Sequence, residues 1–293
     1  MASSSDGETP SVRKRATTLG EAAAQWAVSR WADVEGRRLR YRDAGSGIPL
    51  VLVHGLGVSA DYWVRNATVI AAAGFRVLAP DLPGFGRTDG PPGGLDVPAQ
   101  VDALRRWRTA LAVGPAVYLG HSLSCQTVLQ LAADHPDEVL GLVLAAPTGE
   151  GAGTRRLIRQ AIGLARDLRR ESIALAMLVA QAYFRAGPRR VLRTWQMAGR
   201  HDPMPLLPRI AAPTAIIIGD NDPVVDLDFG QQMARALPAG HLVVVPGGSH
   251  AVIFDSTGTF NGAVVGLMRE VAGRGGNRGT VERETRSRDD PSS

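Results

Sequence analysis

The chain has 293 residues, of which 44% are hydrophobic, enough to bury the core of one elaborated domain or two small ones. Its single cysteine, Cys125, excludes an intramolecular disulfide bond and a cysteine-based metal cluster. No apolar run approaches the ~18 residues that span a bilayer, and residues 1–16 lack the apolar centre of a signal peptide. We therefore expect a cytoplasmic protein without stable membrane insertion.

The net charge of +5 is spread unevenly along the chain. Positions 151–209 carry 12 Arg against the acidic residues Asp167, Glu171 and Asp202. A basic segment can attract anionic substrates or surfaces. The stronger interpretation is a compositional bias, because Lys14 is the only lysine among the 33 Lys and Arg residues. No zinc finger, aromatic RNA-binding motif or recognition-helix pattern accompanies the charge, so we expect no nucleic-acid partner.

In chain order, residues 1–17 are polar and Ser-rich and predict a disordered tail. Thr18 and Glu21 form a capping box that opens a short helix. The segment from Trp31 to Asp43 predicts a hairpin with its bend at Glu35-Gly36. Strand and helix patterns then alternate, with strands over 49–53, 76–79, 116–119 and 139–145 and helices over 60–73, 96–112 and 123–133.

The alternation stops at residue 149, and residues 149–209 have helical spacing only. One apolar face comprises Leu157, Ile158, Ala161, Ile162, Ala165 and Leu168, and two more helices are predicted over 173–184 and 188–197. Alternation resumes with strands over 214–219 and 241–245 and helices over 228–237 and 249–271. Residues 273–293 lack apolar periodicity and predict a second disordered tail.

Regular alternation of strands and helices requires a doubly wound, mostly parallel sheet, so the predicted fold class is α/β. The pattern assigns residues 18–148 and 210–272 to this α/β core. Residues 149–209 are then an all-helical cap inserted between two strands of the core.

The joint between strand 116–119 and the next helix, Gly120-His121-Ser122-Leu123-Ser124, is the strongest candidate for chemistry. A helix that begins directly after a strand holds the joining residue in a tight turn, with room only for small residues two positions away. Gly120 and Ser124 meet this requirement around Ser122, whereas Ser124 as nucleophile would have the large Gln126 at that position. The pattern predicts Ser122 as an exposed nucleophile, although a helix N-cap serine gives the same local sequence.

A serine nucleophile needs a base and an orienting carboxylate. In an open parallel sheet the active groups come from loops at the carboxyl ends of strands, which leaves His54 and His250 among the six histidines. His250 follows the last strand in a Gly-rich turn that can bring its imidazole over Ser122, and a surface histidine is the alternative. The acid should follow the preceding strand, where the candidates are Asp220, Asp222 and Asp226.

Taken together, these motifs resemble the α/β-hydrolase family over about residues 31–270. In chain order they are H-G-x-G at 54–57 with Ser59 and Trp63 downstream, D-L-P-G-F-G-R at 81–87, the elbow at 120–124, G-x-x-D-P at 219–223 and G-x-S-H at 247–250. The family elbow is normally G-x-S-x-G, and Ser124 replaces its second glycine here. The resemblance implies a serine-nucleophile branch with a helical lid, and it implies no cofactor and no metal.

The resemblance also implies the remaining roles. It selects Asp222, three residues beyond the glycine, as the acid, and it gives His54 a structural role beneath the loop that supplies an oxyanion donor. The backbone amides of Leu56 and Leu123 are implied as the oxyanion hole. In the pocket beneath the lid we expect an apolar lining, although such stripes also serve helix packing; its candidates are Trp63, Tyr183, Phe184 and Trp195.

The function that this resemblance implies is a serine hydrolase that cleaves a small or medium hydrophobic ester, lactone or thioester through an acyl-enzyme on Ser122. Carbon–carbon bond hydrolases of the family are an alternative, but they usually carry a tryptophan soon after the catalytic histidine. Here Ala251-Val252-Ile253-Phe254 follows His250. Non-hydrolytic lyases, cyclases and cofactor-free oxygenases, and ligand receptors with a vestigial triad, share the fold and stay open as alternatives.

Overall fold

The computed structural model describes residues 17–149, Gly163 and 173–288. These residues contain an eight-stranded sheet whose strands are β1 (Arg30–Val34), β2 (Arg37–Gly45), β3 (Pro49–Val53), β4 (Arg76–Pro80), β5 (Ala116–His121), β6 (Val139–Ala145), β7 (Thr214–Gly219) and β8 (Gly240–Val245). Their order across the sheet is β1-β2-β4-β3-β5-β6-β7-β8. Strands β3 to β8 run parallel, and β1 and β2 add an antiparallel hairpin at one edge. The predicted α/β class and mostly parallel sheet are therefore confirmed.

The helices lie between and after these strands. They are α1 (Leu19–Ala27), α2 (Val64–Ala72), α3 (Val97–Ala110), α4 (Ser124–Asp134), α5 (Ile173–Ala186), α6 (Pro188–Ala198), α7 (Leu227–Ala236), α8 (Val252–Asp255) and α9 (Thr257–Arg288). Short 3-10 helices occupy Ala60–Trp63, Pro136–Glu138 and Met204–Arg209. Among the described residues, no helix combines the length and the apolar character needed to cross a membrane.

The sheet is buried on both faces, which explains why its central strands are apolar without alternation. Helices α3, α4 and α7 cover one face, where Val51 and Val53 of β3 point. Helices α1, α2, α8 and α9 cover the other face, where Leu50 and Leu52 of β3 point. Because β5 lies between β3 and β6 in the middle of this sandwich, all six of its residues are buried. The carboxyl end of β5 is thus held by packing from both sides.

Local sequence signals set several of the element boundaries. Thr18 and Glu21 form the predicted capping box of α1 by reciprocal side-chain to backbone hydrogen bonds. Asp96 caps α3 by accepting from the Ala99 amide at 3.0 Å. The hairpin of β1 and β2 bends at Glu35-Gly36, both with positive φ angles of 53° and 79°. The predicted bend and the predicted capping box are confirmed.

The structure differs from the sequence interpretation at the last helix. The segment predicted as one helix over 249–271 contains α8 and then α9, separated at Ser256. Helix α9 continues to Arg288, through most of the segment predicted as a disordered tail. Local propensity does not explain this extension, because four of the seven residues from 273 to 279 are glycines, which are poor helix formers.

Some predictions fall on residues that the structure does not describe. The N-terminal tail over 1–16 and the apolar face from Leu157 to Leu168 lie outside the described residues. The part of the predicted cap that is described, from Ile173 to Arg209, contains α5, α6 and a 3-10 helix. The division of the chain into core, cap and tails stays a prediction.

Candidate active site

Ser122 occupies a sharp turn between the end of β5 and the start of α4. Its φ angle is +58°, in the left-handed region that non-glycine residues rarely adopt. The turn is fixed by two backbone hydrogen bonds, from the Ser122 amide to Ala145 O at 2.8 Å and from the Cys125 amide to Ser122 O at 3.1 Å. At Gly120 a Cβ atom would lie 2.8 Å from the Cys125 nitrogen and 2.8 Å from the Ser124 oxygen, so a larger residue does not fit.

Ser124, which replaces the second glycine of the family elbow, has a structural role in this turn. Its hydroxyl lies 2.7 Å from the carbonyl oxygen of Val53 at the end of β3, and it accepts from the His121 amide at 2.9 Å. The side chain is almost fully buried, with 1% exposure. Ser124 therefore ties the elbow to the neighbouring strand and is not placed as a nucleophile.

Three side chains from separate loops form a continuous hydrogen-bond chain at the carboxyl edge of the sheet. His250 Nε2 lies 2.9 Å from Ser122 Oγ, and His250 Nδ1 lies 2.9 Å from Asp222 Oδ2. The other oxygen of Asp222 accepts from the amides of Val224 at 2.7 Å and Val225 at 3.0 Å. The structure thus brings together the three residues that the sequence singled out as nucleophile, base and acid.

The environment of Asp222 favours its ionised form. Burial by itself would raise the pKa of this carboxyl group, since the side chain is fully buried. The charge and hydrogen bond of His250 and the amides of Val224 and Val225 outweigh the burial, so the pKa of Asp222 is lowered overall. When Nδ1–H donates to this buried carboxylate, His250 Nε2 carries the lone pair that can accept the Ser122 proton.

The alternative acids have other partners. Asp220 is exposed and accepts from the Gly247 amide at 2.6 Å, which fixes the turn between the two loops. Asp226 caps α7 by accepting from the Asp228 amide at 3.1 Å. Both residues act locally as turn and cap formers, and neither is hydrogen-bonded to His250 within the described residues.

His54, the other candidate base, connects two loops beneath the site. Its Nε2 accepts from the Leu82 amide at 3.0 Å, and its Nδ1 lies 2.8 Å from Gly55 O, so the proton belongs on Nδ1. Burial lowers the pKa of His54, which keeps the ring neutral. His54 thus holds the loop after β3 against the loop after β4.

The candidate oxyanion donors lie at the ends of β3 and β5. The amide of Leu123 belongs to the N-cap position of α4, where a helix presents free N–H groups and a partial positive charge. Leu56 lies in the loop after His54, next to Gly57 with a φ angle of +77°. Among the described residues, neither amide donates a hydrogen bond to a protein acceptor. Both N–H groups are therefore available to a substrate.

The four residues predicted to line a substrate pocket are in different environments. Tyr183 lies against the loop after β3, since a Cβ atom on Gly57 would be 2.5 Å from Tyr183 Cε2. Trp63 is fully buried beneath the site and packs edge-on against His121. Phe184 is 88% exposed, so it does not line an enclosed pocket. Trp195 is half-buried.

One residue that the sequence interpretation set aside contacts the site directly. His121 does not follow the end of a strand as a candidate base would, but its Nε2 lies 3.0 Å from the backbone oxygen of His250. The two rings are 5.4 Å apart. Burial and the neighbouring charge of His250 lower the pKa of His121 to about 3, so the ring is a neutral donor that holds the His250 backbone. In the sequence, only its position next to Ser122 could have indicated this contact with His250.

A buried ion-pair network supports the loop after β4 and was also missed. Asp81 is fully buried and accepts from Arg40 Nη1 at 3.0 Å, from the Ala60 amide at 2.7 Å and from the Arg87 amide at 2.8 Å. A Cβ atom on Gly86 would overlap the Asp81 carboxylate, which explains one glycine of the D-L-P-G-F-G-R motif. Within the described ranges, no group of three or more His, Cys, Asp or Glu side chains is placed to hold a metal ion.

Comparisons with known proteins agree with this geometry. Residues 50–263 match the model of the alpha/beta hydrolase family. The 2-hydroxy-6-oxo-6-phenylhexa-2,4-dienoate hydrolase of Burkholderia cepacia is 25% identical over 257 residues, which are 76% of this chain and 88% of that protein.

Two solved structures are similar in fold. A thermophilic esterase from Thermogutta terrifontis has a TM-score of 0.71 and 23% identity, over 83% of this chain and 99% of that chain. A bromoperoxidase from Bacillus anthracis has a TM-score of 0.71 and 20% identity, over 83% of this chain and 100% of that chain. With the family model matching most of its length, the chain belongs to the alpha/beta hydrolase family.

Proposed function

We propose that this protein is a serine hydrolase that cleaves a small or medium hydrophobic ester, lactone or thioester through an acyl-enzyme on Ser122. The observation that carries the proposal is the continuous hydrogen-bond chain from Ser122 through His250 to Asp222, with 2.9 Å at each step. This is the arrangement that activates a serine hydroxyl for attack on a carbonyl carbon. The location in the cytoplasm stays a prediction.

In the first half of the reaction, Ser122 Oγ attacks the substrate carbonyl while His250 Nε2 takes its proton. Asp222 stabilises the imidazolium that forms, and its own hydrogen bonds to Val224 and Val225 hold the carboxylate in place. Negative charge develops on the substrate oxygen, and the Leu56 and Leu123 amides donate to it. His250 then gives the proton to the oxygen or sulfur of the leaving group, and the carbon–heteroatom bond breaks.

In the second half, water attacks the acyl-enzyme carbonyl and His250 accepts a proton from that water. The tetrahedral intermediate collapses, the bond to Ser122 Oγ breaks, and His250 returns the proton to the serine. The acid and the alcohol or thiol are the products, and the enzyme is regenerated.

A hydrophobic substrate is supported by the surroundings of the loop after β3. Tyr183 belongs to α5 and packs against Gly57 of this loop. Burial raises the pKa of its hydroxyl to about 12, as expected in apolar surroundings. The aromatic ring and the leucine side chains nearby offer apolar contacts to an acyl or leaving group.

The test is hydrolysis of p-nitrophenyl esters from acetate to decanoate by the wild type and by Ser122→Ala. We expect turnover that depends on chain length and falls at least about a thousandfold in the variant. A fluorophosphonate should label the wild type and leave Ser122→Ala unlabelled. Absence of both turnover and labelling in the wild type would overturn the proposal.

Carbon–carbon bond hydrolysis is a second candidate, because the relative from Burkholderia cepacia carries the name of a dienoate hydrolase and matches 76% of this chain. Labelling of Ser122 without turnover of any ester would favour this candidate. Product analysis after incubation with 2-hydroxy-6-oxo-6-phenylhexa-2,4-dienoate would then distinguish cleavage from a lyase or cyclase outcome. The fold by itself does not decide among these reactions, as the bromoperoxidase neighbour illustrates.

A further inference from the structure

Helices α5 and α6 both expose large apolar side chains. Phe184 is 88% exposed, Met177 68% and Leu192 49%, the first two being the highest values among the large hydrophobic residues described. Met177 and Phe184 are seven residues apart on α5, so they lie two turns apart on the same face of the helix. Exposed apolar side chains of this size mark a binding surface when they are grouped together.

The same two helices and the residues that follow them carry arginines that have no ion-pair partner among the described residues. Arg185, Arg189, Arg193 and Arg200 are all exposed, and none forms an ion pair with another described residue. No Asp or Glu occurs between Ser172 and His201. In α3, by contrast, each arginine is paired: Arg105 and Arg108 with Glu138, and Arg106 with Glu35 and Asp102.

We propose that the exposed side of α5 and α6 docks onto the surface of an anionic phospholipid bilayer. Helices that lie in a membrane interface combine bulky apolar side chains with arginines that contact lipid phosphates. The two helices contain both classes of residue, and the absence of acidic residues removes the repulsion that anionic headgroups would otherwise meet. Docking of this kind places side chains in the headgroup region and requires no membrane-spanning helix.

Charge argues against a second copy of this chain as the occupant. Two copies meeting through this side would bring their arginines together, since no acidic residue lies on either helix. A soluble polyanion would satisfy the arginines but would leave Phe184 and Met177 in water. A bilayer accounts for both sets of side chains.

The proposed docking side includes a residue that directly follows a neighbour of the candidate active site in the sequence. Tyr183, the residue before Phe184, lies against Gly57 of the loop after β3. One helix therefore contacts the loop that carries Leu56 with one side and faces solvent with another. The docking proposal is separate from the proposed hydrolysis, because binding to vesicles is measured without turnover.

The experiment measures co-sedimentation of the full chain with vesicles of phosphatidylcholine alone and of phosphatidylcholine mixed with phosphatidylglycerol. We expect binding to the anionic vesicles and little binding to the neutral ones. The triple variant Arg185→Gln, Arg189→Gln, Arg193→Gln should bind roughly a hundredfold more weakly, because each arginine near an anionic membrane surface strengthens binding by about fivefold. Its matched control is Arg37→Gln, Arg235→Gln, Arg269→Gln, which removes the same charge from other exposed positions.

A second pair of variants tests the apolar contribution. Met177→Ser with Phe184→Ser should weaken vesicle binding at least tenfold, while the exposed control pair Leu19→Ser with Val28→Ser should leave it unchanged. Far-ultraviolet circular dichroism and fluorophosphonate labelling of Ser122 check that each variant is folded. The proposal is overturned if the wild type does not bind anionic vesicles, if both charge variants weaken binding equally, or if the apolar pair has no effect.

Discussion

Asp222 and Asp220 are two residues apart in one turn, yet their carboxylates have different surroundings. Asp222 is fully buried and contacts His250 and two backbone amides. Asp220 is exposed and accepts only from the Gly247 amide among the described residues. The pair therefore offers a comparison in which the same chemical change is made inside and outside the hydrogen-bond chain.

We expect Asp222→Asn to lower kcat on a p-nitrophenyl ester by on the order of 10⁴-fold, because an amide in this position favours the wrong tautomer of the histidine. Asp220→Asn should retain activity within about threefold. Equal losses in the two variants, with both still folded, would contradict the assigned role of Asp222.

At this scale the sequence predicted the members of the hydrogen-bond chain but not all of their supports. Ser122, Asp222 and His250 each follow a strand, and a parallel sheet brings such loops to one edge. The hydrogen bond from His121 to the backbone of His250 joins residues 129 positions apart, and no local pattern indicates it. The pocket stays a prediction, since apolar spacing does not distinguish a buried Trp63 from an exposed Phe184.

At the scale of elements, Arg190 joins α6 to the loop after β4. Its guanidinium donates to the carbonyl oxygens of Gly84 at 2.7 Å, Pro91 at 3.1 Å and Gly90 at 3.2 Å, and to Ala186 of α5 at 3.0 Å. A guanidinium has five N–H donors, more than any other side chain, so no other residue can donate to all four carbonyl oxygens at once. This residue fixes the position of α6 relative to the loop that contains Asp81.

We expect Arg190→Met to lower the free energy of unfolding by about 2 kcal/mol and to speed proteolysis within the segment that precedes α6, because four carbonyl partners are lost. Arg189→Met is the matched control, since Arg189 is exposed and has no hydrogen bond to a described residue. Urea unfolding and limited trypsin digestion measure the two effects. If Arg190→Met and Arg189→Met unfold alike, Arg190 does not anchor the helix.

The ends of helices and strands were predictable where a capping box or a turn residue sets them. The capping box at Thr18 and the bend at Glu35-Gly36 lie where the sequence indicated. The break at Ser256 and the continuation of α9 to Arg288 were not predicted, because apolar spacing runs on across Ser256 and is absent beyond residue 273. Docking of Phe260, Val264 and Met268 on the sheet fixes the N-terminal part of α9.

For the whole molecule, burial of the site has a consequence for stability. The sheet and its helices enclose His121, and its folded pKa of about 3 lies well below the ordinary histidine value of 6.5. The unfolded chain therefore binds a proton near pH 6.5 that the folded protein binds only near pH 3. Stability from this group is fully present above pH 6.5 and is lost as the pH falls towards 3.

We expect the free energy of unfolding of the wild type to fall by up to about 5 kcal/mol between pH 6.5 and pH 3 on account of His121. In His121→Gln this contribution is absent, so the variant should lose less stability over the same interval, although it starts from a lower value at pH 7. His241→Gln removes an exposed histidine and should follow the wild-type curve. Urea unfolding at half-unit pH steps measures the three slopes. Parallel curves for the wild type and His121→Gln would mean that the ring is protonated as readily in the folded protein as in the unfolded chain, and that the site is more open to water than its packing indicates.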